Sequence, residues 1–147
     1  MEKKTLLIGI IVFLIVAFIF GQALLNQSAS SKESSKVERL IVKIYSLLTG
    51  KKTLPFNVRT AAHFSEFLLL GFAMIFFVKS KKLGLRVLRS ISYCGLIAFL
   101  DESIQLFSDR AAEVVDIWTD LFGAAAGTAI GFAVILLVNA VRKAKKA

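Results

Sequence analysis

Proline occurs once in this chain, at Pro55, cysteine once, at Cys94, and histidine once, at His63. A single cysteine excludes an intramolecular disulfide, and one cysteine with one histidine cannot complete a standard structural zinc site. Acids are scarce too, 10 against 19 lysines and arginines, for a formal charge of +9. No polar stretch is long enough for a soluble catalytic domain, so whatever happens here happens in or at a bilayer. The long apolar runs lack strand alternation, which excludes a transmembrane barrel.

What the chain has is hydrocarbon: 56% of its 147 residues are hydrophobic, a composition foreign to soluble domains and disordered segments alike. Four runs, at about residues 5–25, 60–78, 86–107 and 117–138, reach the roughly 20 residues that carry a helix across a hydrocarbon core. Lipid offers backbone groups no partner outside the helix itself. The sequence therefore predicts an all-α integral membrane four-helix bundle, one domain over residues 1–147. The first run, behind "MEKK" and ahead of Ser28 to Ser30, shares features with a secretory signal. Its apolar stretch from Leu6 to Leu25 exceeds the roughly 7–15 residues of such a signal, so an uncleaved anchor is expected. Cys94, within an apolar run, reads as a packing residue.

Charge orients the spans. The link between the second and third runs carries Lys79, Lys81, Lys82, Arg86 and Arg89 and no acid, which places it in the cytoplasm. Four spans then put both termini inside as well, in accord with Lys3 and Lys4 at one end and Arg142, Lys143, Lys145 and Lys146 at the other. The first loop, residues 26–58, opposes this with six basic residues, and Arg59 directly after it, against Glu33 and Glu38. The short link and the tail are the cleaner signals, and a bacterial cytoplasmic membrane protein with cytoplasmic N- and C-termini is expected. Within that loop "SASSKESS" reads as polar and flexible. After it, Val37, Leu40, Ile41, Ile44, Leu47 and Leu48 repeat at helical spacing, predicting a short basic amphipathic helix on the extracytoplasmic side. Gly50 and Pro55 bracket the turn that follows.

In this orientation three spans bring polar residues to one side. Arg59, His63 and Glu66 open the second span, within about 40° of His63's neighbour Arg59 on one helical face. Asp101, Glu102 and Gln105 close the third, with Asp101 and Gln105 about 40° apart. Asp116 and Asp120 open the fourth and run into Gly123, Gly127 and Gly131 within an arc of about 80°. The glycines form two overlapping G-x-x-x-G motifs, which admit a neighbouring helix backbone. The acidic stripe therefore faces a helix, and intrachain packing is favoured over a dimer. Ionisable groups in a span cost about 2.5–3.5 kcal/mol each on insertion scales, so they face the bundle interior or a wet cavity and mark function.

The expected pocket has more carboxylates than Arg59, Arg110 and His63 can neutralise. Either some carboxyls are protonated and serve acid–base chemistry, or a cation completes the charge. The cofactor stays unassigned, a divalent metal being one candidate. As a catalytic site, His63, Glu66, Asp101, Glu102 and Asp116 carry the chemistry, with Glu102 or Asp101 as general base or metal ligand and His63 as proton carrier. Arg59, Gln105, Arg110 and Asp120 then bind substrate, an arginine holding an anionic head group. As scaffold, the same ions fix helix register, and Asp109 and Glu113 face solvent. A serine nucleophile is disfavoured, since Ser65 and Ser103 point away from the faces that carry His63 and Gln105.

Taken together, "RTAAHFSEFLLLGF", "DESIQLFSDR" and "DIWTDLFGAAAG" resemble the VanZ-like family of small bacterial membrane proteins, named for a protein associated with teicoplanin resistance. The resemblance covers Arg59 to Gly131 and carries over Arg59, His63, Glu66, Asp101, Glu102, Gln105, Arg110, Asp116, Asp120, Gly123 and Gly127. Many members have a histidine where this chain has Ile104, and a Pro-Gly turn where it has Ser108 and Asp109. The resemblance implies a cell-envelope role, including lowered teicoplanin susceptibility. The partners it suggests are a membrane lipid or lipid-linked cell-wall precursor, or teicoplanin, which itself carries a lipid tail; no nucleic acid is implied. Oligomeric state is left open.

Overall fold

The computed structural model describes residues 3–24, 27–51, 53–108 and 114–145. It has five helices: α1 (Lys3–Ala23), α2 (Gln27–Thr49), α3 (Val58–Phe77), α4 (Leu83–Phe107) and α5 (Val114–Ala144). Among the described residues there is no strand. All but α2 are long and apolar enough to cross a membrane, since 20 residues of helix measure about 30 Å. Their outer surfaces carry Leu7, Phe13, Leu69, Phe99, Phe122 and Leu137 in exposed positions. Apolar exposure on every spanning helix is what lipid solvates and water does not.

The bundle is organised around α3, which packs chiefly on α5 and also on α1 and α4. Phe67, Leu70, Met74, Cys94, Ala98 and Ala124 form the buried core, with Val12 and Ile19 of α1 joining them. Cys94 is a free, fully buried thiol, the packing residue its apolar context suggests.

The α3 and α5 helices run parallel, and α4 returns between them. Arg59 with Asp116, His63 with Asp120, and Gly71 with Thr128 all pair at a separation of 57 residues, so one register holds over most of the contact. Small residues make that approach possible. A methyl group added at Gly123 would overlap the Phe64 carbonyl oxygen, one at Gly127 the Leu68 carbonyl oxygen, and one at Gly71 the Ala124 carbonyl oxygen. The glycine stripe is thus spent within the chain, on α3. Thr128 adds a buried hydroxyl donated to the Gly71 carbonyl at 3.3 Å, a bond between helices in the middle of the span.

Helix ends are settled locally. The Asn57 side chain accepts from the Arg59 amide at 2.8 Å and starts α3, the N-cap role suited to asparagine. At the other end Arg86 of α4 donates from Nε to the Ile75 carbonyl at 2.5 Å and from Nη2 to the Phe76 carbonyl at 3.4 Å. Arg86 is therefore more than a charge in a basic link: it satisfies terminal carbonyls of α3 and sits at the negative end of its dipole.

The amphipathic helix is longer than its apolar repeat. It begins at Gln27, so the serine-rich stretch read as flexible lies within α2. That stretch contains neither glycine nor proline, and once the periodic half has nucleated, each further residue costs little to add. Leu40, Ile44, Leu47 and Leu48 are exposed, and α2 meets the bundle mainly along α3. Gly50 follows with φ of +73°, a left-handed conformation suited to glycine, and ends the helix.

Candidate functional site

The parallel pairing of α3 and α5 brings two helix N-termini to the same end of the bundle, where α4 finishes. Arg59 and His63 stand one turn apart on α3, opposite Asp116 and Asp120 one turn apart on α5. Arg59 Nη2 donates to Asp116 Oδ2 at 2.9 Å, and His63 Nδ1 lies 3.2 Å from Asp120 Oδ1. Asp116 sits in the first turn of α5, at the positive end of the helix dipole, which favours a carboxylate there; Asp120 lies one turn deeper. Arg59 is partly exposed at the mouth, whereas the Asp120 side chain has no exposed surface. The cluster therefore deepens from a wet rim to a sealed floor.

The third wall comes from α4. Gln105 accepts from Arg59 Nη2 at 3.3 Å through Oε1 and donates through Nε2 to Asp101 Oδ2 at 2.9 Å. A glutamine can do both because its amide carries an acceptor and a donor. Asp101, Glu102 and Gln105 are all buried. One continuous polar chain thus runs from Asp116 through Arg59 and Gln105 to Asp101, beside the His63–Asp120 pair.

His63, Asp101 and Asp120 each place one ligand-type atom within 4.8 Å of the others. Of the remaining sequence candidates, Glu102 is buried on α4 and Glu66 is partly buried on α3. Arg110, Asp109 and Glu113 lie outside the described residues. Ser65 and Ser103 donate their hydroxyls to the carbonyls of Ala61 and Phe99, one turn back in their own helices, an arrangement that leaves neither prepared as a nucleophile.

Two residues escaped the reading of the sequence. Thr128 extends the Asp116, Asp120, Ala124 stripe by one more turn, so a fourfold spacing of small or polar residues was the available signal. Gly71, in a run of leucine and phenylalanine, is the α3 counterpart of the α5 glycines; a lone glycine in a span signals close backbone approach.

Chemically, the cluster holds carboxylates, an imidazole, an amide and a guanidinium in surroundings that are otherwise apolar. Such a site can exchange protons, hold a cation, or grip an anionic group at its Arg59 rim. These features define a multi-pass helical membrane protein with a buried polar site at one end of its bundle. The chain belongs to the VanZ/LLP1 family, whose family model matches residues 6–137. No curated protein and no solved structure shows significant similarity to it.

Proposed function

We propose that this protein binds or modifies an amphiphilic molecule of the bacterial cell envelope at the Arg59–His63–Asp101–Asp120 cluster. The observation that carries the reading is the burial of Asp101, Glu102, Gln105, Asp116 and Asp120 together inside a bundle whose exterior is hydrocarbon. A scaffold needs no such concentration of ions, since apolar side chains of similar volume hold helices at least as well. An amphiphile suits the position: its tail can remain among the exposed apolar residues of the spans while its head group reaches the Arg59 rim.

The cluster opens on the extracytoplasmic side of the cytoplasmic membrane, and both termini are cytoplasmic. The acid-free link from Lys79 to Arg89 supports this orientation. Because Cys94 is buried, an introduced surface cysteine can report it. A membrane-impermeant thiol reagent is expected to label Lys51→Cys in intact cells and Lys81→Cys only after permeabilisation; the reverse pattern inverts the topology.

Lowered teicoplanin susceptibility is the phenotype this reading leads to, by action on a lipid-linked cell-wall precursor or by capture of the drug through its lipid tail. In a sensitive Gram-positive host at matched membrane abundance, wild type is expected to protect, and Glu102→Gln and Asp101→Asn to behave as empty vector. Equal protection by wild type and variants assigns the carboxylates to the scaffold. Protection by none removes teicoplanin from the function.

A second reading has its own observation. The Arg59–Asp116 pair and the Gln105 bridge tie three helices together, which suits an ionic cluster that fixes packing. Under it Glu102→Gln lowers abundance before activity.

A further inference from the structure

We infer that His63, Asp101 and Asp120 form a binding site for one divalent transition-metal ion of the zinc type. The inference rests on the same polar site as the functional reading, but its test needs neither substrate nor phenotype.

Distance comes first. Ligand atoms about 2.0–2.2 Å from zinc in a tetrahedral array stand roughly 3.3–3.6 Å apart. The contact of His63 Nδ1 with Asp120 Oδ1 at 3.2 Å sets the imidazole and the carboxylate side by side and leaves Asp120 Oδ2 free among the described residues. His63, Asp101 and Asp120 each offer one ligand-type atom within 4.8 Å of those of the other two, close enough to gather round one ion. The three come from three different helices, α3, α4 and α5, of which α3 and α5 are held in register by their close backbone packing.

Asp120 supplies an independent sign. Its side chain is fully buried, its Oδ1 meets His63, and its Oδ2 has no hydrogen-bond partner among the described residues. An ionised oxygen sealed from water is costly unless a donor or a cation meets it. Two carboxylates, a neutral imidazole and a doubly charged ion sum to zero, the charge that a low-dielectric interior tolerates best.

The donor set selects the ion. Calcium and magnesium prefer oxygen throughout, whereas imidazole with carboxylates suits zinc and its neighbours. Gln105 fixes the Asp101 carboxylate through Oδ2, the outer support that ligands of a metal ordinarily have. Three protein ligands leave a further position for water or for an oxygen of a bound head group, as in open zinc sites.

The test uses the full chain, purified in detergent, stripped with a chelator and titrated with Zn²⁺ in competition with a chromophoric chelator. Co²⁺ serves as a spectroscopic stand-in through its visible d–d absorption. One Zn²⁺ per chain is expected, undisturbed by excess Mg²⁺ or Ca²⁺. His63→Gln and Asp120→Asn, shown folded by circular dichroism and gel filtration, should each weaken binding by at least about a hundredfold, and Gln105→Ala by about tenfold. Failure of wild type to take up stoichiometric Zn²⁺, or unchanged affinity in folded His63→Gln, overturns the inference. Zn²⁺ binding without any effect on teicoplanin susceptibility leaves the metal site standing and removes teicoplanin from the functional reading; susceptibility effects without Zn²⁺ binding overturn the metal site and leave that reading standing.

Discussion

Replacing Gly127 with leucine is expected to remove nearly all folded protein from the membrane, while Gly84→Ala leaves it unchanged. The difference lies in what a Cβ meets. At Gly127 it would overlap the Leu68 carbonyl oxygen and lie 2.8 Å from the Leu68 carbonyl carbon and 2.9 Å from the Phe72 nitrogen. These are backbone atoms, so no rotamer change relieves the clash and the two helices must separate. Overpacking a well-filled core costs about 1–3 kcal/mol and more where nothing can yield. Separation also loosens the Thr128 bond to Gly71 and the two ion pairs that share its register. Against a typical stability of roughly 5–15 kcal/mol, that combination is severe. At Gly84 nothing lies within 4 Å, and alanine is the better helix former by about 1 kcal/mol. The readout is the yield of monodisperse protein in detergent together with its thermal midpoint. Normal yield and midpoint for Gly127→Leu would refute the α3–α5 interface described above.

The fold was largely legible because a membrane reduces the choices to helices or a barrel. Counting apolar residues placed the four spans within about three residues except at the far end of α5, which runs on to Ala144, and the helical phase of Asp116, Asp120 and the glycines placed one stripe on a neighbour. What periodicity could not supply was the identity of that neighbour. Phase gives the face of a helix and says nothing of which helix lies across from it. Hence the parallel pairing of α3 with α5, and with it the specific partners Arg59–Asp116 and His63–Asp120, came only from three dimensions. Arg86 illustrates a different limit. In a string it is one charge among five, because reaching the Ile75 carbonyl depends on how the chain turns between α3 and α4. The serine-rich start of α2 misled for a third reason: weak propensity was read as flexibility, although nothing there breaks a helix.

His63→Leu alone is expected to destabilise the protein strongly, and adding Asp120→Val is expected to restore stability without restoring function. Leucine at position 63 removes the one group that Asp120 meets among the described residues, leaving a sealed carboxylate uncompensated. Breaking a buried pair in this way costs about 3–5 kcal/mol. Valine at position 120 then removes the orphaned charge, and the two apolar side chains fill much of the same space. Such double replacements of buried ion pairs are commonly neutral or stabilising by about 1–4 kcal/mol. Asp101 keeps the Gln105 amide throughout, so the third helix stays anchored. Thermal midpoints of wild type, both singles and the double form a cycle whose coupling term should be large, since the side chains touch. A recovered midpoint with lost activity means that the ion pair is retained at a cost in stability for what the site does. A double variant that is stable and fully active would show instead that the bundle can dispense with both residues, and the functional site would have to be sought among Arg59, Glu102, Gln105 and Asp116.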